Sequence, residues 1–236
     1  MSLIPPGSTI GFLGGGQLGR MTAFAARSMG YDVHVLDPDP TAPARGVASR
    51  FIEASFHDAD AIVRLAEECA VLMPEIETIS AEGMARAVAH APVRPGASVL
   101  HIVQDRARQK EWLARHGFTI TPFAVLRDDR DAARAAETLR GPCFVKTTTG
   151  GYDGRGQVRT DSPADIADAW RSLGNRPCVA EQGVELAMEL SVLVARTATG
   201  EIATYQPAAN VHVDGILAWS VIPGVDDPDL IARAGG

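Results

Sequence analysis

The sequence predicts an α/β protein in which a doubly wound parallel sheet precedes an α+β unit, with the start of a third domain at the end. In the N-terminal part, short apolar runs alternate with segments of helical apolar spacing, which is the pattern of βαβ units. Further along, two apolar runs flank a glycine-rich segment that is too long for a tight hairpin turn. We therefore expect a doubly wound domain at 1–104, connecting helices at 105–142, an α+β domain at 143–208 and a further domain beginning at 209–236.

Composition and charge indicate an ordinary soluble globular protein. The 236 residues are 46% hydrophobic and 22% charged, as in ordinary globular proteins. A net charge of −7 and the absence of any Lys/Arg run argue against nucleic acid as a partner. No apolar stretch approaches the length of a membrane span, and no signal peptide is visible. The three cysteines lie in or beside apolar runs, so we expect buried, reduced thiols and a cytoplasmic location.

The first elements are a strand at 8–13, a turn at Gly14-Gly-Gly-Gln-Leu-Gly19 and a helix that Gly30 ends. The apolar residues at helical spacing in that helix are Leu18, Met21, Ala25 and Met29. This strand–turn–helix order is the first half of a βαβ unit.

The rest of the first domain continues the alternation. Its later elements are a strand at 33–36 ending on Asp37, a helix that Asp58 begins, a strand at 71–73 and a helix at about 80–90. Strands that alternate with helices pair in parallel, so the predicted sheet is parallel.

After residue 104 the order of elements changes. The expected elements are a helix from Asp105 to His116, an extended segment at 121–126, a helix at 129–139, a strand at 143–145, a strand at Val158, a helix that Ser162 begins, a strand at 178–180, and a hairpin of 189–196 with 202–205. Residues 216–222 are a further apolar run within the expected start of the third domain at 209–236.

Two glycine motifs suggest two different phosphate ligands. Gly14-x-Gly16-x-x-Gly19 follows a strand and opens a helix, and Asp37 ends the next strand. That arrangement is the dinucleotide fingerprint, with Asp37 placed for a ribose hydroxyl. A helix N-terminus also binds the phosphate of a sugar-phosphate substrate, so the motif alone leaves both readings open.

The second motif is the segment between Lys146 and Gln157, in which four of ten residues are glycine. Glycine lets backbone N–H groups turn towards one point, and Lys146 and Arg155 add positive charge beside them. Phosphate is the ligand that suits such a loop, and a hairpin without a ligand is the alternative. Two phosphate sites in one chain favour a nucleotide together with a phosphorylated substrate.

Several motifs occur in an order that resembles one known family. They are Gly14-Gly-Gly-Gln-Leu-Gly-Arg-Met21, Gln104-Asp-Arg106, Gly150-Gly-Tyr-Asp-Gly-Arg-Gly-Gln157, Glu181-Gln-Gly-Val184, Glu189-Leu-Ser191 and Asn210-Val-His-Val-Asp-Gly-Ile-Leu217. Together they resemble the N5-carboxyaminoimidazole ribonucleotide synthetases, which are ATP-grasp enzymes of purine biosynthesis. The resemblance implies a Rossmann-like pre-ATP-grasp domain, an ATP-grasp lid domain and a truncated third domain. It also implies ATP, Mg²⁺, bicarbonate and 5-aminoimidazole ribonucleotide as reactants, a carboxyphosphate intermediate and a homodimer.

The resemblance also implies a role for individual residues. The expected ATP-binding residues are Arg106, Lys146, Gly151, Tyr152, Asp153, Gly154, Arg155, Gly156, Gln157, Glu181, Gln182, Gly183, Val184, Glu189 and His212. The expected substrate-binding residues are Gly15, Gly16, Gln17, Leu18, Glu75, Glu77, Tyr152 and Arg155. Lys146 and Arg155 are the expected catalytic cations, because phosphoryl transfer needs positive charge on the phosphates. The loop would close over the phosphates and exclude water.

Two stretches depart from the family pattern. Glu75 and Glu77 flank Ile76 after a strand and resemble the family's Glu-x-Glu segment, although Met73-Pro74 replaces its usual Thr-Tyr or Thr-Phe. The family's third domain carries acidic residues that hold Mg²⁺, and nothing after Asp229 supplies such a strand. We expect a truncated chain that is inactive by itself and name no metal ligand in it.

Three hypotheses follow from the sequence. The first is the ATP-dependent carboxylase, the second a dinucleotide oxidoreductase that uses Gly14–Gly19 with Asp37, and the third a non-catalytic nucleotide-binding fragment.

Overall fold

The fold was analysed in a computed structural model, which describes residues 3–151, 156–197, 199–213 and 216–235. The chain divides into two compact units, residues 2–117 and residues 118–236. In the described ranges, no helix is both long and apolar enough to cross a membrane.

The first unit is built on a four-stranded sheet. Its strands are β1 (Thr9–Leu13), β2 (Asp32–Asp37), β3 (Arg50–Glu53) and β4 (Val71–Pro74), and its helices are α1 (Gln17–Ser28), α2 (Ala59–Glu67), α3 (Ala81–Ala87), α4 (Ala97–Val103) and α5 (Arg106–Arg115). A short 3₁₀ helix lies at Pro43–Gly46. The strand order is β3-β2-β1-β4 and every pair is parallel, which confirms the predicted parallel sheet.

Both faces of this sheet are covered, as a parallel sheet requires. On one face, Leu13 and Leu72 pack with Ile62 and Leu65 of α2. On the other, the strands pack against α1 and the 3₁₀ helix, in a cluster of Phe12, Ala23, Ala26, Val33, Val35 and Ala44. The side chains of Asp58, Ser80 and Asp105 accept N–H groups at the first turns of α2, α3 and α5. The sequence predicts that helices begin at Asp58 and at Asp105, and the structure confirms both starts.

The sequence correctly predicts helix α1 but not which of its faces is buried. Leu18 and Met21 are 68% and 66% exposed, and Ala25 and Met29 are also exposed. The residues that face the sheet are instead Gly19, Ala23 and Ala26. Small residues at this spacing let the helix lie close to β1 and β2, so the larger side chains of the same helix point away.

Two elements of the first unit were not predicted. Strand β3 has only two partly buried residues, Phe51 and Ile52, so its sequence lacks a long apolar run. Helix α4 contains the pair Val99-Leu100, which is too short to show helical periodicity by itself.

The second unit begins with a four-stranded antiparallel sheet. The strands of the unit are β5 (Phe123–Leu126), β6 (Cys143–Thr147), β7 (Gln157–Thr160), β8 (Cys178–Gln182), β9 (Glu189–Ser191), β10 (Val194–Arg196), β11 (Ile202–Thr204), β12 (Ala208–Val213) and β13 (Ile216–Val221). Its helices are α6 (Asp129–Thr138), α7 (Ile166–Ser172) and α8 (Pro228–Gly235), with a 3₁₀ turn at Pro163–Asp165. The first sheet has the order β5-β8-β6-β7.

A single core joins this sheet to α6 and α7. Its fully buried members include Leu126, Val145, Ile166 and Cys178, and Trp170 of α7 is 5% exposed. Since β6 and β8 lie in the middle of the sheet, the residues that follow Thr147 and those that precede Cys178 are held at the same end.

The strand expected at 189–196 is broken in the structure. Strands β10 and β11 form the predicted antiparallel hairpin, with Arg196 opposite Ile202. Strand β9 instead pairs with β12, which also pairs with β13 in a separate three-stranded sheet. The apolar pattern of a strand does not determine which strand it pairs with, so the break between β9 and β10 could not be predicted from the sequence.

Candidate nucleotide and substrate sites

The glycine-rich loop leaves the end of β6 and returns at the start of β7. Lys146 is opposite Gln157, and the N–H of Thr147 donates to the carbonyl of Gly156 at 2.9 Å. Gly156 has a φ of +71°, and a Cβ there would lie 2.8 Å from Oγ1 of Thr147. Both the backbone conformation and the space therefore require glycine where the loop rejoins the sheet.

Lys146 is the cation at the base of this loop. Its Nζ lies 3.2 Å from Oε2 of Glu181 on β8, and the two side chains are 26% and 14% exposed. The structure thus brings together two residues that the sequence assigns to the nucleotide. The ion pair also gives the side chain of Glu181 a role that the sequence did not suggest, since only its backbone was expected to matter.

The segment expected to offer backbone groups to adenine runs from Glu181 to Val184. The N–H of Gln182 donates to the carbonyl of Pro122 at 2.9 Å, and that of Gly183 donates to Pro142 at 2.7 Å. Neither N–H is therefore a donor for a ligand in this conformation. Val184, after the strand, is exposed.

Glu189 and His212 are brought together although they are far apart in the sequence. Strand β9 pairs with β12, with Glu189 opposite Asn210. The side chain of His212, two residues further along β12, reaches back, and its Nδ1 lies 2.5 Å from Oε2 of Glu189. Both side chains are partly exposed, so this pair is open to a ligand from solvent.

The glycine turn of the first unit is occupied by two of the protein's own carboxylates. The N–H of Gly15 donates to Oδ2 of Asp37 at 2.7 Å, and the N–H of Asp39 donates to Oδ1. Asp37 is 8% exposed, and both of its oxygens accept hydrogen bonds from backbone. A carboxylate that is buried and satisfied in this way is not placed to bind a ribose, which argues against the dinucleotide reading.

Glu75 is the second carboxylate at this turn. Its Oε1 accepts the N–H of Gly19 at 2.6 Å. A Cβ on Gly14 would lie 2.8 Å from Oε2 of Glu75, and one on Gly19 would lie 2.6 Å from the same atom. The glycines of the fingerprint therefore make room for Glu75 beside the start of α1. Its Oε2 is buried and has no hydrogen-bond partner among the described residues.

The remaining predicted residues are placed as follows. Gly16 precedes α1, while Gln17 and Leu18 form its first turn. The side chain of Glu77 is exposed, and Arg106 is the half-buried first residue of α5 in the first unit. Gly151 is the last described residue before the gap in the loop. Tyr152, Asp153, Gly154 and Arg155 lie outside the described residues.

Gln104 holds the segment that follows Glu75, although in the sequence it stands out only as part of a motif. Its Nε2 donates to the carbonyl of Glu77 at 2.7 Å and to that of Ile79 at 2.8 Å. These bonds fix the segment that follows Glu75. A lone glutamine before a helix carries no signal for such a role, so only the resemblance could have identified it.

The residues that the structure describes contain no group of three or more His, Cys, Asp or Glu side chains arranged to hold a metal ion. The donor set that Mg²⁺ prefers is therefore not found among them.

Family models of known proteins match both parts of the chain. Residues 7–104 match the ribonucleotide synthetase preATP-grasp domain, and residues 111–234 match the ATP-grasp domain. The chain is 37% identical over 221 residues to N5-carboxyaminoimidazole ribonucleotide synthase of Bacillus subtilis, covering 94% of this chain and 58% of the relative. The Staphylococcus aureus (strain COL) protein of the same name is also 37% identical, over 227 residues, which are 96% of this chain and 61% of that protein.

Solved structures of enzymes with similar names also superpose on this chain. The Staphylococcus aureus N5-carboxyaminoimidazole synthetase complexed with ADP superposes with a TM-score of 0.92 at 35% identity, covering 99% of this chain and 62% of that one. The Aspergillus clavatus synthase in complex with ADP and 5-aminoimidazole ribonucleotide gives 0.85 at 28%, covering 97% and 60%. The chain thus spans about three fifths of the length of the relatives it matches. Because the ATP-grasp domain model covers more than half of its residues, this chain belongs to the ATP-grasp family.

Proposed function

We propose that this chain provides the ribonucleotide-binding and nucleotide-binding parts of an N5-carboxyaminoimidazole ribonucleotide synthase. The observation that carries the proposal is the Lys146–Glu181 pair at the base of the glycine loop, in a chain with this family membership. In the proposed reaction, ATP and bicarbonate carboxylate the exocyclic amine of 5-aminoimidazole ribonucleotide.

The proposed chemistry has two steps. An oxygen of bicarbonate attacks the γ-phosphorus of ATP, the bond to ADP breaks, and carboxyphosphate forms. The exocyclic amine then attacks the carbon of carboxyphosphate, the carbon–oxygen bond to phosphate breaks, and the nitrogen loses a proton. Negative charge develops on the phosphoryl oxygens in the first step, so fixed cations near them lower its barrier.

Lys146 is the residue that we assign to this charge in the second unit. It lies at the end of β6, where the loop begins, and Glu181 holds its ammonium in place. Arg106 at the start of α5 is the second proposed phosphate contact, and Arg155 the third. The Thr147–Gly156 hydrogen bond fixes the ends of the loop, which supports a loop that closes over the phosphates from a constant base.

Glu189 and His212 are assigned to the ribose of the nucleotide. A carboxylate accepts hydrogen bonds from two neighbouring hydroxyl groups, and the contact with His212 restricts the rotamers of Glu189. The exposure of this pair supports access by a ligand. Carbonyl groups of the 181–184 segment and the N–H of Val184 are the proposed partners of adenine, because the N–H groups of Gln182 and Gly183 are already used.

In the first unit, the start of α1 and Glu75 are assigned to 5-aminoimidazole ribonucleotide. Glu75 lies beside the start of α1, where its carboxylate is an acceptor for an exocyclic amine. The N-terminal residues of α1, Gly16 to Leu18, would face the phosphate of the same molecule, since a helix N-terminus favours an anion.

Mg²⁺ accompanies ATP in the proposal, where it would offset charge on the phosphates. The described residues do not offer a carboxylate set for it, so we assign it no ligand here. A homodimer in the cytoplasm also belongs to the proposal. Light scattering of the purified protein checks the dimer, and a monomer at micromolar concentration would contradict it.

The decisive experiment is calorimetric titration of the chain with ATP, ADP and NAD. We expect ATP and ADP to bind and NAD not to bind, because Asp37 is already satisfied within the protein. Binding of NAD without binding of ATP would refute the proposal. Incorporation of labelled bicarbonate into 5-aminoimidazole ribonucleotide, measured in a version of the protein extended to the full length of its relatives, then separates the carboxylase from a non-catalytic nucleotide-binding protein.

A further inference from the structure

Arg176 lies at the start of the glycine loop, although no sequence motif includes it. It belongs to the turn between α7 and β8, where Gly174 and Asn175 have φ values of +78° and +54°. The Nη2 atom of the Arg176 guanidinium lies 3.7 Å from the position that a Cβ would occupy on Gly150. The side chain therefore lies beside the loop that we assign to phosphate.

The backbone of Arg176 is held firmly on both sides. Its carbonyl accepts a hydrogen bond of 2.8 Å from Nε1 of Trp170, whose ring is in the core. The carbonyl of the next residue, Pro177, accepts the N–H of Thr148 at 2.9 Å. These bonds tie the Arg176 turn to the first residues of the loop, so the guanidinium is presented there by a fixed scaffold.

Among the described residues around the loop, Arg176 is a cation without a carboxylate partner. Lys146 is paired with Glu181, and Arg171 of α7 is paired with Asp168 and Asp129. In the parts of the chain that the structure describes, no carboxylate lies within ion-pairing distance of Arg176, which is exposed. An anion that binds at the loop gains most from such a cation, because no existing ion pair has to be broken.

We infer that Arg176 contacts the phosphate chain of the bound nucleotide at the Gly150 end of the loop. This inference rests on the proposed nucleotide site and adds to it a binding residue from outside the loop. Arg176 complements Lys146: the lysine is a point charge fixed by Glu181, whereas the arginine offers a planar set of donors that can follow phosphate oxygens.

The test is calorimetric titration of the whole chain with ATP and with adenosine, for the wild type, Arg176→Gln and Arg171→Gln. Arg176→Gln is expected to raise the Kd for ATP about five- to tenfold, the size of a partly solvated charge-assisted hydrogen bond, and to leave the Kd for adenosine unchanged. Arg171→Gln changes the net charge equally from the same region and should leave both constants unchanged.

The outcomes separate the inference from the proposed function. If the wild type binds ATP and Arg176→Gln binds it equally well, the phosphate contact is wrong while the nucleotide site stands. Equal weakening by Arg176→Gln and Arg171→Gln would also overturn the contact, because it would show an effect of net charge alone. If the wild type does not bind ATP, the proposed function and this inference both fail. Thermal unfolding of the variants shows whether each is folded.

Discussion

The ammonium of Lys146 lies 3.2 Å from the carboxylate of Glu181, although the two residues are not opposite each other in the sheet. Lys146 is opposite Val179, and Glu181 is two residues further along the same strand. Successive side chains of a strand alternate between its faces, so Lys146, Val179 and Glu181 share one face. The opposite face carries the core, with Val145 and Ala180. The pair therefore stands on the face opposite this core, where Val179 is buried while Lys146 and Glu181 stay partly exposed.

Lys146→Met is expected to weaken ATP binding far more than it weakens the fold. The ammonium is only partly buried and its role is electrostatic, so we expect at least a roughly tenfold higher Kd for ATP and a free energy of unfolding lowered by about 1 kcal/mol. Calorimetry and urea unfolding measure the two quantities.

The matched control for this lysine is Arg159→Met. Arg159 is an exposed cation on the same hairpin, paired with Asp161, and its loss should leave ATP binding unchanged. An unchanged Kd for Lys146→Met would remove Lys146 from the site.

Gly156→Ala is expected to destabilise the protein by about 2 kcal/mol. The φ of +71° costs an alanine roughly 1 kcal/mol, and its Cβ would also lie 2.8 Å from Oγ1 of Thr147. Gly141→Ala is the control, because Gly141 has a φ of +61° and nothing lies within 4 Å of the position that a Cβ would occupy there. Urea unfolding should show a larger loss for Gly156→Ala, and the addition of Thr147→Ala should recover part of it. Equal losses of stability for the two variants would mean that the side chain of Thr147 moves away from the new Cβ without a cost in free energy.

Much of the fold could be predicted because local signals and the tertiary structure agree. Short apolar runs that alternate with helical segments predict the parallel sheet of the first unit, and Asp58 and Asp105 mark helix starts that the structure confirms. The buried face of α1 could not be predicted from apolar spacing. Its larger side chains point outward, while the contact with the sheet needs small residues. The break between β9 and β10 depends on pairing with β12, which no local pattern contains.

In the candidate sites, too, local features could be predicted from the sequence and contacts between distant residues could not. A cation at a strand end before a glycine loop is visible in the sequence, and the structure places Lys146 there. The sequence does not show that the glycines near residue 14 make room for Glu75, because Glu75 comes from a strand end that is distant in the sequence. Arg176 was missed for a similar reason: the turn that carries it meets the loop only through the pairing of β6 with β8.

Asp37→Asn is expected to lower the free energy of unfolding by roughly 2 kcal/mol and to leave nucleotide binding unchanged. Both carboxylate oxygens accept backbone N–H groups, and an amide in place of one oxygen would put two donors face to face. Asp39→Asn is the control, because Asp39 makes similar bonds to Thr41 in an exposed turn and should cost much less. A large loss of nucleotide affinity in a fully stable Asp37→Asn variant would restore the dinucleotide reading.

Cys69 should make the protein less stable at alkaline pH. Burial is the main cause that raises the pKa of this thiol to about 12, and the neighbouring Glu68 adds to it, while Arg50 acts in the opposite direction. In the unfolded chain, a thiol titrates at about pH 8.5. Between these values the unfolded state loses the proton and the folded state keeps it, so the stabilisation is complete below about pH 8.5 and is lost as the pH rises towards 12. By about pH 10 the loss from this residue should be roughly 2 kcal/mol.

Cys69→Ala tests this dependence directly. The variant loses some packing at every pH, because Cys69 belongs to the core of the first unit, but its stability should fall less steeply between about pH 8 and about pH 10. Cys178, whose pKa is raised to about 11 by burial, contributes a similar slope from the second unit and remains in the variant. The measured quantity is the difference between wild type and Cys69→Ala in the free energy of unfolding at the two pH values. Since only the wild type carries the Cys69 proton, that difference should shrink at the higher pH. A constant difference would show that Cys69 ionises as readily in the folded protein as in the unfolded chain.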